Sequence, residues 1–563
     1  MAGARAGRAR LRALARSAVG PPVGLALLTL AAFAPGLRNG FVWDDQFNFV
    51  DNPHVRGLGW SELRWMLTTA GSTHPGWGGQ WIPLTWLTVA LDYRLWGLNP
   101  LGYHLTNLVL HAANAVLLFA LARRLLAAAT PTASAGVLSV GAATTALFWA
   151  LHPLRVESVA WATERRDVLS GFFFLLAVLT YVRAVLAGAP GRRWWLAGSV
   201  GAYALALASK ATVLGLPLAL LVLDAYPLAR LRGRWRERLV EKVPYALLAA
   251  ADAGLTLHAV RVAASLTPAD QYPLPARVAT ALYGLWFYVE KTFFPLGLSP
   301  LYELPAPVRP LDPPFLGRAV AVLALSAGLW LARRRWPAGL AVWVGYAVLL
   351  APVSGLAHVG YHVAADRYSY LPSQGLALLV GAGAAMLASP RGPALRPAYA
   401  RLLLVVIAGW VLALGGLTAR QVHAWSDAET LWQSALDVDP ACGICHGNLG
   451  AALEREGLWE PAIAHLEEAL ARRPDQVGFE RNLGLALLRS GRPAEAVMHF
   501  RLAVAAIPSD PALRTYLGLA LLRVGQPEPA LGQFRLAVRL DPSHLDAQAN
   551  LAALLDDHAG GRP

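Results

Sequence analysis

Cysteine and charge are what this chain has least of. Only two of its 563 residues are Cys, Cys442 and Cys445, so no framework of disulfides holds the fold. Charged residues make up 15% against 56% apolar ones, and the mean hydropathy is +0.43; that balance excludes a soluble globular protein. Acids are scarcer than bases, 35 Asp and Glu against 49 Lys and Arg. The bases fall in short clusters between apolar runs, which fits cytoplasmic loops of a membrane protein and argues against a nucleic-acid partner. No small-residue cleavage pattern closes the apolar run after "MAGARAGRARLRALARS", so residues 1–20 read as a basic cytoplasmic tail before a first membrane helix. Richness in Ala, Arg and Gly points to a bacterial source and hence to the inner membrane.

What is present is a succession of apolar segments long enough to cross about 30 Å of hydrocarbon. They lie near 22–38, 103–122, 136–151, 168–187, 194–209, 211–227, 243–262, 318–332, 338–356, 368–388 and 401–418. An all-α, polytopic bundle of about eleven crossings is therefore predicted over 21–420, with a first outer loop at about 39–102. Glu290 and Lys291 interrupt a further apolar stretch at 276–297, which is laid at the interface or read as a re-entrant element. This solution puts the Arg clusters inside and the tail outside.

The tail, 421–563, is a repeat array. A 34-residue period joins Leu449, Leu483, Leu517 and Leu551, the glycines Gly450, Gly484 and Gly518, and the prolines Pro474, Pro508 and Pro542. That is the tetratricopeptide pattern, in which small residues let paired helices pack and Pro ends the second helix. Full repeats are predicted at 443–476, 477–510 and 511–544, with a cap at 545–563. Asn448, Asn482 and Asn550 share one register position, interrupted by Tyr516; such a row either hydrogen-bonds an acceptor peptide's backbone or faces solvent.

Four charged segments gather on the predicted outer side. "FVWDDQFNFVDNPHVRG" carries Asp44 and Asp45, which suit a general base for an acceptor hydroxyl, a divalent cation site, or a solvated turn. "HPLRVESVAWATERRD" carries His152, Arg155, Glu157, Glu164, Arg165, Arg166 and Asp167. Guanidinium groups there suit a phosphate, and mutual ion pairing is the alternative. Lys210 stands between apolar runs, where an unpaired charge is costly. Asp366 and Arg367 either pair with each other or reach the same outer cavity. "CGICH", 442–446, has the spacing of c-type haem attachment, but it falls inside an unbroken repeat register; a disulfide-prone pair or plain packing fits better, and zinc lacks two further close ligands.

"WDDQFNFVDNPHV", "PLTWLTVALDYRLWGLNPLGYHLTNLVLHAANAVLLF", "LHPLRVESVAWATERRDVLSGFFFLLAVLTYVRA", "ASKATVLGLPLALLVLD" and "ADRYSYLP", followed by tetratricopeptide repeats, resemble the transmembrane and tetratricopeptide repeat (TMTC-like) O-mannosyltransferase family of the GT-C superfamily. The resemblance covers nearly the whole chain. It implies a GT-C-like membrane domain and transfer of a sugar, mannose in the characterised members, from a polyprenyl-phosphate carrier to an acceptor protein's hydroxyl on the extracytoplasmic side. It implies Asp44 or Asp45 as the base and "ERRD" and "ADRY", with Arg165, Arg166 and Arg367, as partners of the carrier phosphate; no cofactor is certain, and whether the acidic pair holds a divalent cation stays open. One departure is "WIPLTW", with Ile82 where bacterial relatives carry His; His74 lies elsewhere in the loop. The alternative is a noncatalytic membrane scaffold whose repeats recruit envelope proteins. A transporter fits less well, because polar residues gather at one face and not at the midplane.

Overall fold

The structure, a computed structural model, describes residues 20–72, 79–186, 191–263, 272–305, 307–356, 360–390 and 396–560. His74 lies outside them. The chain divides into two compact units, Met1–Asp427 and Ala428–Pro563.

The first unit is a multi-pass membrane bundle. Its helices are α1 Gly20–Phe33, α2 Trp60–Thr68, α3 Pro83–Trp96, α4 Pro100–Ala129, α5 Ala135–Ala150, α6 Val156–Ala160, α7 Arg165–Leu186, α8 Arg192–Leu207, α9 Leu216–Ala225, α10 Trp235–Val262, α11 Leu274–Phe293, α12 Pro313–Ala332, α13 Pro337–Leu350, α14 Ser373–Ala388 and α15 Pro397–His423. Each of the eleven predicted spans falls on a helix, but the count of crossings needs correction. Among the described residues six helices are long and apolar enough to cross a membrane, or seven if the pair Ala135–Ala150 and Pro153–Ala160, bent by 58°, is one span. The apolar helices 211–225, 337–353 and 373–388 are shorter. Proline bounds each of these helices: Pro227 closely follows the first, Pro337 opens the second and Pro390 follows the third. Residues 276–297 do form one helix, Leu274–Phe293.

Sequence sets several helix starts. Asn99 caps α4 by accepting from Leu101 N at 3.2 Å, and Ser134 caps α5 by accepting from Val137 N at 3.3 Å. The α5 and α14 helices touch through glycine, since a Cβ on Gly381 would collide with Thr145 Oγ1 and the Gly141 carbonyl. The described residues also hold one departure from all-α, the antiparallel pair β1 Tyr302–Glu303 and β2 His362–Ala364.

The second unit is helical: α16 Ala428–Val438, then the pairs α17 Gly443–Arg455 with α18 Trp459–Arg472, α19 Val477–Arg489 with α20 Pro493–Ala506, α21 Pro511–Arg523 with α22 Pro527–Leu540, and last α23 Leu545–Gly560. A Cβ on Gly450, Gly484 or Gly518 would come within 2.6, 2.8 or 2.6 Å of Leu466, Phe500 or Phe534. The recurrent glycine is thus the socket for the recurrent large residue. Each pair turns on a glycine in the left-handed region, Gly457, Gly491 and Gly525, at φ of 81°, 85° and 76°.

Candidate functional site

The loop after α1 is fastened at its root. Asn39 Nδ2 donates to the Val422 carbonyl at 3.2 Å, and Gly40 N donates to the Ser426 carbonyl at 2.8 Å. Trp43 then takes a φ of +53°, a region that a bulky side chain enters only when its surroundings fix it. What fixes it is a stack: its ring lies 4.6 Å from Trp161, which lies 5.5 Å from Trp425.

Past this turn the two acids, consecutive where the chain enters a helical turn, have different surroundings. Asp45 is fully buried, and its carboxylate accepts from Val42 N at 3.0 Å, Thr163 N at 2.7 Å and Thr163 Oγ1 at 2.6 Å. Burial pushes it up to about 7 in spite of those donors. Asp44 is half-buried and makes no side-chain hydrogen bond among the described residues. Burial raises its pKa as well, while the charges of Arg166 and Arg367 pull it down and Glu164 pushes it up. The pair therefore does not offer two carboxylates to one cation, because both oxygens of Asp45 are turned onto amide and hydroxyl donors. Among the described residues no three His, Cys, Asp or Glu side chains converge as a metal site.

Facing Asp44 is a network of six charges drawn from three segments. Glu164 accepts from Arg166 at 2.7 Å and from Lys210 at 2.6 Å, and Lys210 also reaches Asp167 at 2.7 Å. Arg367 binds Glu157 through its side chain and through its backbone N, the latter at 2.8 Å, and lies 3.5 Å from Glu164. Arg166 also donates to Gln80 at 2.8 Å, and Ser158 donates to Asp167 at 3.0 Å. Arg166, Lys210 and Arg367 keep 16%, 13% and 10% of their side chains exposed, whereas Glu164 has none. The cations thus form the accessible side of the network and the acids its buried support.

Four predicted residues stand elsewhere. Arg165 is fully buried and spends its donors on Asp92 at 2.6 Å, the Tyr103 carbonyl at 2.9 Å and the Asn107 side chain. It braces α7 to α3 and α4, and the expectation that it meets the carrier phosphate is revised. Arg155 is buried, donates to Ser369 Oγ, and lies over the rings of Trp149 and Tyr370 at 5.8 and 5.6 Å. His152 accepts from Leu154 N at 3.1 Å and lies 3.0 Å from the Thr292 carbonyl, a buried cap with no free face. Asp366 does not pair with Arg367; it accepts from Tyr302 Oη at 2.9 Å, and burial together with the Glu157 charge raises its pKa.

Sequence reasoning missed Thr163, Gln80, Asp92, Tyr302 and the Trp43–Trp161 stack. Asp92 had a signal, since it is the one acid of the apolar segment 83–96. In the repeat unit, Asn448, Asn482 and Asn550 are half-buried; Asn482 Oδ1 accepts from Arg481 at 3.2 Å and Asn550 donates to its own helix at Asp546 O, 2.7 Å. Cys442 and Cys445 are joined by a disulfide and fully buried, so neither sulfur is free for haem.

An apolar cavity of about 180 Å³ runs between α4, α9, α13 and α14, lined among others by Leu125, Val222, Ala341 and Leu378. It reaches Leu349, Leu371 and Pro372, which also border a small recess containing Asp167 and Arg367. The charged site and the cavity thus share a wall.

A tetratricopeptide repeat family model matches residues 414–477 and 457–511. Protein O-mannosyl-transferase Tmtc1 of Drosophila melanogaster is 27% identical, over 80% of this chain and 61% of that protein. Protein O-mannosyl-transferase TMTC1 of Homo sapiens is 26% identical over 80% and 55%, and Tmtc3 of Drosophila melanogaster is 26% identical over 70% and 49%. The chain spans about half the length of these curated relatives. Among solved structures, ArnT from Cupriavidus metallidurans in the apo state matches over 87% of this chain and 80% of that one at 17% identity, with a TM-score of 0.37. The chain is, by these sequence matches, a distant relative of protein O-mannosyl-transferases.

Proposed function

We propose that the protein is a GT-C-type glycosyltransferase that moves a sugar, mannose by analogy with its relatives, from a polyprenyl-phosphate carrier to an acceptor hydroxyl on the extracytoplasmic side. The observation that carries the reading is the contrast within the acidic pair: Asp45 is tied down by Thr163 and Val42, while Asp44 has its carboxylate unbonded among the described residues and within the field of Arg166 and Arg367. A base beside cations is what an inverting transfer from a phosphodiester requires. The acceptor oxygen attacks the anomeric carbon, its proton passes to Asp44, and the bond from that carbon to the phosphate oxygen breaks. The departing polyprenyl phosphate gains one negative charge, and Arg166, Lys210 and Arg367 are the accessible cations to meet it. The carrier's hydrocarbon chain would lie in the apolar cavity that shares Leu371 and Pro372 with the recess at Arg367. The repeats would present the acceptor protein. Mass spectrometry of O-linked glycoproteins from source cells with and without the gene tests this. A glycan that disappears with the gene, and returns with the wild-type chain but not with Asp44→Asn, is the expected result; no change in any O-linked glycan would sink it.

A further inference from the structure

Away from that site, a second charge cluster surrounds the start of α10. Asp224 is fully buried and accepts from Tyr181 Oη at 2.7 and 2.8 Å, from Lys242 at 2.7 Å and from Arg230 at 2.8 Å. Glu241 serves Arg230 at 3.0 Å, Arg238 at 3.5 Å and Arg192. Glu237 adds contacts to Arg238 at 3.1 Å and Arg234 at 3.7 Å. Five cations therefore share three carboxylates, and the Arg238 Nε is buried without a partner among the described residues. Arg232 and Arg236 add two exposed charges.

The surroundings are those of a membrane surface. Trp194 and Trp235 are 69% and 54% exposed, and Arg193 and Arg236 lie 5.2 Å over their respective rings; exposed Trp beside Arg is the signature of the headgroup layer. One step further along α10, Leu239, Val240, Val243 and Leu247 are exposed, and their spacing puts them on one face. Reading along the helix, excess positive charge comes first and an uncovered apolar stripe second. A phospholipid has its groups in that order.

We infer that the arginines around the start of α10, chiefly Arg192, Arg234 and Arg238, bind the phosphodiester headgroup of an anionic phospholipid whose acyl chains lie along Leu239, Val240, Val243 and Leu247. A phosphodiester supplies the negative charge that the three carboxylates leave short, and guanidinium forks match its oxygens. This site is independent of the transfer chemistry, so either can fail alone.

The test is native mass spectrometry of the full chain released from nanodiscs of phosphatidylglycerol or of phosphatidylcholine with the same acyl chains. Wild type should retain phosphatidylglycerol in preference, and Arg192→Gln with Arg238→Gln should lose about fivefold of that preference per arginine. Arg234→Gln with Arg236→Gln leaves the buried network whole and should give a smaller loss in the same direction. Arg333→Gln with Arg334→Gln, at another basic turn, should change nothing. Undiminished preference in both of the first two variants, an equal loss in the Arg333 control, or equal thermal stabilisation of wild type by inorganic phosphate would each overturn the assignment.

Discussion

The two charge clusters of the membrane unit meet the same physical difficulty, ionised groups taken out of water, with different results. At the start of α10 the hub is closed: Tyr181, Lys242 and Arg230 all converge on one buried carboxylate, Asp224, and those residues come from a continuous stretch of chain, 181–242. Around Glu164 the charges come from three distant segments, and the cations keep their accessible edge toward an acid, Asp44, that belongs to none of the ion pairs. Buried pairs cost desolvation that their attraction only partly offsets, so an arrangement that also leaves one carboxylate unbonded is not explained by stability. One cluster holds helices together; the other holds helices together and faces Asp44, the proposed base.

The largest expected effect tests the aim. Asp44→Asn should lower sugar transfer by about 10²- to 10⁴-fold, the usual worth of a general base, while thermal unfolding of the purified protein in detergent stays within about 1 kcal/mol of wild type, as for a residue with few packing partners. Next comes the support. Lys210→Met leaves Asp167 without its cation and takes one of three from Glu164, and breaking such a buried network should cost about 3–5 kcal/mol, seen as a lower midpoint in thermal unfolding. The equivalent change in the second cluster, Lys242→Met, should destabilise by a similar amount and leave the transfer rate per folded molecule unchanged. A destabilised but normally active Lys210→Met would erase the distinction.

Smaller effects concern protons. As the proposed base, Asp44 would act only when ionised, so transfer should fail as pH drops through its raised pKa. Arg166 holds that pKa down, so Arg166→Gln should move the acid limb of the pH profile to higher pH; a shift the other way would contradict the assignment. Asp45 sits at about 7 when folded and near 3.9 unfolded. Between those values the folded chain keeps a proton that the unfolded chain has lost, so its contribution makes stability fall as pH rises, by about 1.4 kcal/mol per unit, and levels off above the folded value. Asp45→Asn should flatten the measured dependence of unfolding on pH by about one proton's share over that window.

Much of this was legible in the sequence. The repeat array showed through its 34-residue period because Gly450, Gly484 and Gly518 each seat the large residue sixteen positions on, a packing demand that recurs with the repeat. The clustering of "ERRD", Lys210 and "ADRY" was legible from charge placed beside apolar runs. What could not be read was direction. Arg165 and Arg166 are neighbours in the chain but about 100° apart around a helix, and only the position of Asp92 on α3 decides that Arg165 turns inward. Asp44 and Asp45 are likewise consecutive residues of a turn that enters a helix and so diverge, while the φ of the preceding Trp43, stacked on Trp161 more than a hundred residues away, sets where the pair as a whole is carried. Hydropathy locates the apolar helices but not their ends, so eleven segments read as crossings where, among the described residues, six or seven helices reach spanning length.

The most direct measurement places the full-length protein in proteoliposomes with polyprenyl-phosphate mannose, labelled in the sugar, and acceptor peptides rich in serine and threonine. Wild type should place label on the peptide with inverted anomeric configuration, and Asp44→Asn should leave it at background. Transfer that is undiminished in Asp44→Asn, or no transfer by a wild-type chain that is folded and inserted, would contradict the proposed function.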